Sequence, residues 1–150
     1  MADAAAMTRE MRERVMAHAS KDDLKRAAGG LHDVEFVIEF LQLAHGAARP
    51  ALRQPGMFEA IEACRAERLI SVADHDSLLG AYAFVRQIMN RMQLLDGEPH
   101  DALPQGEEAE LFARRAGFAP GGGLSALEQL LQELQYHKAN AQAAFNKYVR

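Results

Sequence analysis

Leu24-Lys25-Arg26-Ala27-Ala28-Gly29-Gly30-Leu31-His32-Asp33-Val34-Glu35-Phe36 decides how this chain is read. A basic pair leads into a double glycine, and a helix opens directly behind it with Asp33 and Glu35 in its first turns. Adjacent glycines cost about 1 kcal/mol each wherever helix could have continued. They are kept where the backbone turns sharply or where something approaches it closely. The junction therefore reads as a hinge or contact point.

On either side of it, apolar residues recur every three or four positions, and no convincing alternating strand interrupts them. From Ala4 to His18, the residues Met7, Met11, Val15 and His18 form one stripe. Arg9, Glu10, Arg12, Glu13 and Arg14 fill the rest of an exposed amphipathic helix. Behind the junction, Leu31 to His45 is apolar on most sides and stops at Gly46, which places it in the middle of a bundle. Pro50 and Pro55-Gly56 bracket a loop, and Met57, Phe58, Ile61 and Cys64 mark a short third helix. Ser71 and Asp74 compete to cap a fourth, which carries Leu78, Tyr82, Val85, Met89 and Met92 towards Leu95. From Asp96 to Glu110 the chain is acidic and broken by Gly97, Pro99, Pro104 and Gly106, a surface excursion before a short helix at Glu107 to Ala116. Pro120-Gly121-Gly122-Gly123 reads as a flexible connector, and a last helix with Leu127, Leu130, Leu131, Leu134, His137, Ala141, Phe145 and Tyr148 in register runs to the end. The expected fold is all-α: one domain over 1–150, a bundle of four main, mostly antiparallel helices with short accessory ones. Its parts are an N-terminal helix in 1–20, the basic and glycine junction at 21–30, core helices over 31–95, the excursion over 96–123 and the C-terminal helix over 124–150.

Composition narrows the function. At 49% hydrophobic and 25% charged residues the chain is an ordinary folded domain, and its net charge of -4 gives no global case for nucleic acid or an anionic membrane as partner. Cys64 is the only cysteine, so no internal disulfide forms, and its helical setting suits a packed thiol. No signal peptide and no apolar run of about 18 residues is present. A cytoplasmic protein is expected.

The chemistry-bearing residues are few. Lys25 and Arg26 precede the glycines, and Gly30 is placed to cap the central helix, whose free N–H groups favour an anion such as phosphate. Alternatively, Asp33 already supplies that negative charge, with Lys25 paired to Asp33 or Glu35. Glu35 lies at the edge of the apolar face and needs a partner, for which Arg86 and Arg91 are candidates. No Glu-x-x-His pair or His-Glu-x-x-His motif occurs, and Asp74-His75-Asp76 sits on adjacent helical positions that point apart, so no metal site is assigned. No Gly-x-Ser-x-Gly or Gly-Lys-(Ser or Thr) motif is present either. The methionines could form an adaptable docking surface but suit a core equally well.

The pattern Lys25-x-x-x-Gly29-Gly30-Leu31-x-Asp33-Val34-Glu35-Phe36 resembles one in the glutamine synthetase adenylyltransferase/adenylyl-removing enzymes. It stands there just after the nucleotidyltransferase domain, at the start of a helical domain. The likeness continues through Leu41 to Gly46, Pro50 to Arg53, Ala81 to Arg86, Arg91 to Asp96, Leu103-Pro104 and Ala144-Phe145. Ala27 departs from it, standing where many relatives carry a third glycine. The resemblance implies that Lys25, Arg26, Gly29, Gly30, Asp33 and Glu35 form a nucleotide-proximal junction, with no catalytic residue and no metal ligand on this chain. It further implies an adjacent nucleotidyltransferase domain that uses ATP and Mg2+ to transfer AMP to a tyrosine of glutamine synthetase, or that removes it. The Gly-Ser turn and Asp-x-Asp of such catalytic sheets are missing here, so the isolated chain is expected to be inactive. A second reading is a regulatory module that docks glutamine synthetase or a PII-type signal protein through its first or last helix, with Arg12 and Arg14 on the docking surface. A third is an unrelated bundle that dimerises through its last helix.

Overall fold

The computed structural model describes residues 2–150. Six helices follow one another: α1 (Ala2–Met16), α2 (Leu31–His45), α3 (Met57–Ala66), α4 (Val72–Asp96), α5 (Glu107–Arg115) and α6 (Ala126–Tyr148), with a 3-10 turn at Pro50–Leu52 before α3. No strand occurs among the described residues, and the all-α expectation holds.

Helices α2, α4 and α6 pack on one another and form the centre. α1 lies on α2, α3 fills the angle between α2 and α4, and α5 covers α6. The shared core contains Val34, Val37 and Ile38 from α2, Leu78 and Val85 from α4, and Leu130 and Phe145 from α6. Each such side chain contributes roughly 1.5–3 kcal/mol on leaving water. α4 and α6 run antiparallel: Asp74 at the start of α4 meets Lys147 and Tyr148 at the end of α6, while Phe84 stacks on His137 with centroids 4.7 Å apart. No helix is long and apolar enough to cross a membrane among the described residues.

The helix starts follow local chemistry. Ser71 caps α4 by accepting the Asp74 N–H, which settles the competition in favour of Ser71. Ser125 and Glu128 form a reciprocal capping box at α6. Gly97 ends α4 in the left-handed region, at φ +78°.

The structure corrects or refines the expectations at four points. In α1 the stripe is rotated: Met7 and Met11 are exposed, whereas Ala5 is buried and Arg12 is only 14% exposed. The two methionines have no neighbour to cover them, while Arg12 has a buried anion to reach. α2 lies in the middle as expected, with one open stripe of Glu39 and Leu43, the latter 75% exposed. The 96–110 excursion is tied down: Asp101 accepts from the Leu24 N–H (2.6 Å) and pairs with Lys25 and Arg26. Finally, Pro120-Gly121-Gly122-Gly123 forms a tight turn. Gly121 and Leu124 exchange backbone hydrogen bonds around Gly122 and Gly123, both at positive φ, the geometry that glycine supplies at no steric cost.

Candidate functional site

The junction becomes an elbow because Asp23 organises it. Asp23 is 2% exposed. Its Oδ1 accepts the N–H groups of Lys25 (2.9 Å) and Arg26 (2.7 Å), and its Oδ2 accepts the Arg26 Nε–H (2.8 Å). This is an Asx turn closed by its own arginine. Burial opposes ionisation of Asp23, but the hydrogen bonds from Arg26 and Lys25 outweigh it and hold the carboxyl below its ordinary range. Lys25 Nζ and Arg26 Nη2 also reach Asp101, at 3.0 and 3.1 Å. The two cations therefore face two carboxylates.

Both glycines are required by close approach. Gly29 sits at φ +75°, and a Cβ there would lie 2.1 Å from the backbone oxygen of Lys138 on α6. A Cβ on Gly30 would lie 2.5 Å from the Lys25 oxygen. The elbow is thus a contact point, with the chain's own last helix as its partner.

Every N–H at the start of α2 is used internally. Gly29 donates to Asp33 Oδ2 (2.7 Å), Gly30 to the Ala27 oxygen, Leu31 to Leu24, His32 to Lys25 and Asp33 to Gly30. The reading in which these groups hold a phosphate is overturned, and the one in which Asp33 supplies the negative charge holds. Its partner is not Lys25, however. Asp33 is 2% exposed and takes both arms of Arg12, Nε at 2.6 Å and Nη2 at 2.7 Å. The same guanidinium lies 4.3 Å above the Phe145 ring. One side chain therefore joins α1, α2 and α6.

Glu35 stands apart on the outer side of α2. Its neighbour is His32, at 3.7 Å, and neither Arg86 nor Arg91 pairs with it; Arg91 instead donates to the Arg115 oxygen. Burial raises the Glu35 carboxyl above its ordinary range, opposed in part by the charges of His32 and Arg86. The structure brings Lys25, Arg26, Gly29, Gly30 and Asp33 into one elbow and leaves Glu35 at its edge.

Sequence reasoning missed Arg12, Asp23 and Asp101. Asp23 was detectable, since an aspartate two residues before a basic pair is an Asx-turn signal. Arg12 and Asp101 lie far away in sequence, and no local pattern announces them.

The remaining candidates are structural. Asp74 accepts from Ser71, Lys147 and Tyr148; burial works against ionisation, but these hydrogen bonds hold its pKa at about 2. His75 is buried between Glu62 (2.8 Å) and Asp76 (2.7 Å), clipping α3 to α4. Burial pushes the Cys64 thiol up to about 11, as suits a packed side chain.

The family described as GlnD PII-uridylyltransferase matches residues 5–149. A bifunctional glutamine synthetase adenylyltransferase/adenylyl-removing enzyme of Xanthomonas campestris pv. campestris strain B100 is 35% identical over 131 residues. The match takes in 87% of this chain and 13% of that enzyme. Its counterpart in a second strain of the same pathovar is 35% identical over 128 residues, 85% of this chain and again 13% of the enzyme. The chain spans about an eighth of the length of these relatives. A match over residues 5–149, on an all-helical frame, shows that this chain belongs to the GlnD PII-uridylyltransferase family.

Proposed function

We propose that this chain is the helical companion domain of a bifunctional cytoplasmic nucleotidyltransferase. It packs beside a catalytic domain that transfers AMP from ATP to a tyrosine of glutamine synthetase, or removes it. The observation that carries the reading is the 35% identity confined to 13% of adenylyltransferase/adenylyl-removing enzymes. The N–H groups from Gly29 to Asp33 are bonded within the chain. Among the described residues no three His, Cys, Asp or Glu side chains gather to hold a metal. ATP and Mg2+ are assigned to the parent enzyme, and no chemical step is assigned to this chain.

Its contribution is a rigid elbow whose outer edge carries Lys25 and Arg26, each about one-third exposed, beside the nucleotide cleft of the neighbouring domain. Glu35 lies on the adjoining half-exposed strip of α2. A second reading follows from the family's description: uridylyl transfer to PII in place of AMP transfer to glutamine synthetase. The identity to the adenylylating relatives favours the first. The docking-module reading is weakened at one point, since Arg12 is committed to Asp33 and is no free surface charge.

Replacing the matching segment of the Xanthomonas enzyme with this chain tests the proposal. A chimera that adenylylates glutamine synthetase supports it. A folded chimera that uridylylates PII and leaves glutamine synthetase untouched supports the second reading.

A further inference from the structure

Beside the elbow, the 103–106 segment, α5 and α6 enclose a cleft of about 410 Å³. That lies within the range of roughly 300–1,000 Å³ typical of small-molecule sites. Its apolar wall is built by Leu127, Leu131 and Leu134, and Leu131 is 45% exposed, whereas Leu130 and Leu134 of the same helix are buried. Of the chain's four lysines, Lys25 pairs with Asp101 and Lys147 with Asp74. The other two, Lys21 and Lys138, have no ion pair among the described residues, and both line this cleft. Asp22 is the one carboxylate in the lining, so cations outnumber anions there. The Gln135 amide adds a neutral donor.

Two unpaired ammonium groups over an exposed leucine wall have one kind of complement: an anionic head joined to an apolar body. We propose that this cleft binds a small organic anion, with its carboxylate or sulfonate held by Lys21 and Lys138 and its apolar body against Leu127, Leu131 and Leu134. The ligand covers Leu131 and gives both lysines a shared anionic partner, two gains that water alone cannot supply together. The site also adjoins the elbow, because the backbone of Lys138 is the surface on which Gly29 rests. The proposal stands on the cleft itself and is independent of the function assigned above.

The experiment uses the whole chain and 8-anilinonaphthalene-1-sulfonate as fluorescent probe, with octanoate and 1-octanol as competitors. Saturable binding is expected, displaced by octanoate but not by 1-octanol at the same concentration. The Lys21→Gln/Lys138→Gln double variant, with unchanged circular dichroism, should weaken binding at least about tenfold, equivalent to about 1.4 kcal/mol. Leu43→Glu, in the separate open groove beside Pro55, should leave it unchanged. Absence of saturable binding, equal displacement by 1-octanol, an unaltered double variant, or loss of binding in Leu43→Glu would each overturn the proposal.

Discussion

Arg12 grips both carboxylate oxygens of Asp33, at 2.6 and 2.7 Å, and thereby fastens α1 to the first turn of α2. Asp33 in turn accepts the Gly29 N–H. The ion pair and the glycine elbow are therefore one structure, and stability measurements can take it apart.

Arg12→Ala leaves Asp33 buried with a single donor. The expected cost is about 3 kcal/mol, the lower end for orphaning a buried charge, because Arg12 keeps some exposure. Arg14→Ala removes an exposed pair with Glu10 and should cost no more than about 0.5 kcal/mol. Urea denaturation of both variants measures the contrast. Equal losses would contradict the assignment of Arg12 to the inner face of α1.

Gly29 and Gly97 have nearly the same φ, +75° and +78°, but of the two Gly29 alone has a neighbour against it. Gly97→Ala meets nothing within 4 Å, so it should cost only the left-handed strain of about 1–2 kcal/mol. Gly29→Ala adds a collision with the Lys138 backbone and should exceed about 3 kcal/mol or abolish folding. Thermal melts of the two variants separate close approach from conformational strain.

The Asp74 cluster predicts an acid limb. Its carboxyl is held at about 2 against an ordinary 3.8, so the folded state takes up this proton less readily than the unfolded chain. The resulting stabilisation, of order 2 kcal/mol, is complete above about pH 4 and is lost as pH falls through about 2. Asp74→Asn should lower stability at neutral pH and flatten that limb. Denaturation midpoints between pH 2 and 7 provide the check.

Glu35 behaves oppositely. Burial raises its carboxyl, so the charged form is disfavoured by folding and the domain gains stability as pH falls into its titration range. Glu35→Gln should therefore hold or raise stability at pH 7. If Glu35 serves the contact with a catalytic domain, the same change in the chimera lowers AMP transfer without destabilising the fold. A drop in stability at pH 7 would instead reveal a buried partner.

Much of this architecture is visible in the sequence because it is local. The 3.6-residue period, Ser71 as a cap and Gly46 as a stop mark helices within a residue or two of where they lie. The elbow is visible for the same reason: two adjacent glycines need an explanation wherever they stand. Its partners were not. Arg12 reaches Asp33 across 21 residues and Arg26 reaches Asp101 across 75, and charge patterning does not say which cation finds which anion. The rotated face of α1 has the same origin. Met7 and Met11 read as core by hydrophobicity, but the helix turned to deliver Arg12 to a buried carboxylate, where an unpaired ion would cost more than two exposed methionines.

The central claim is that this chain supports a reaction centre and does not contain one. Its most direct test is to incubate the pure 150-residue chain with glutamine synthetase, Mg2+ and ATP radiolabelled at the α-phosphate, then count label on the synthetase. The account predicts no label above the enzyme-free blank. Radiolabelled AMP on a tyrosine of glutamine synthetase would contradict it.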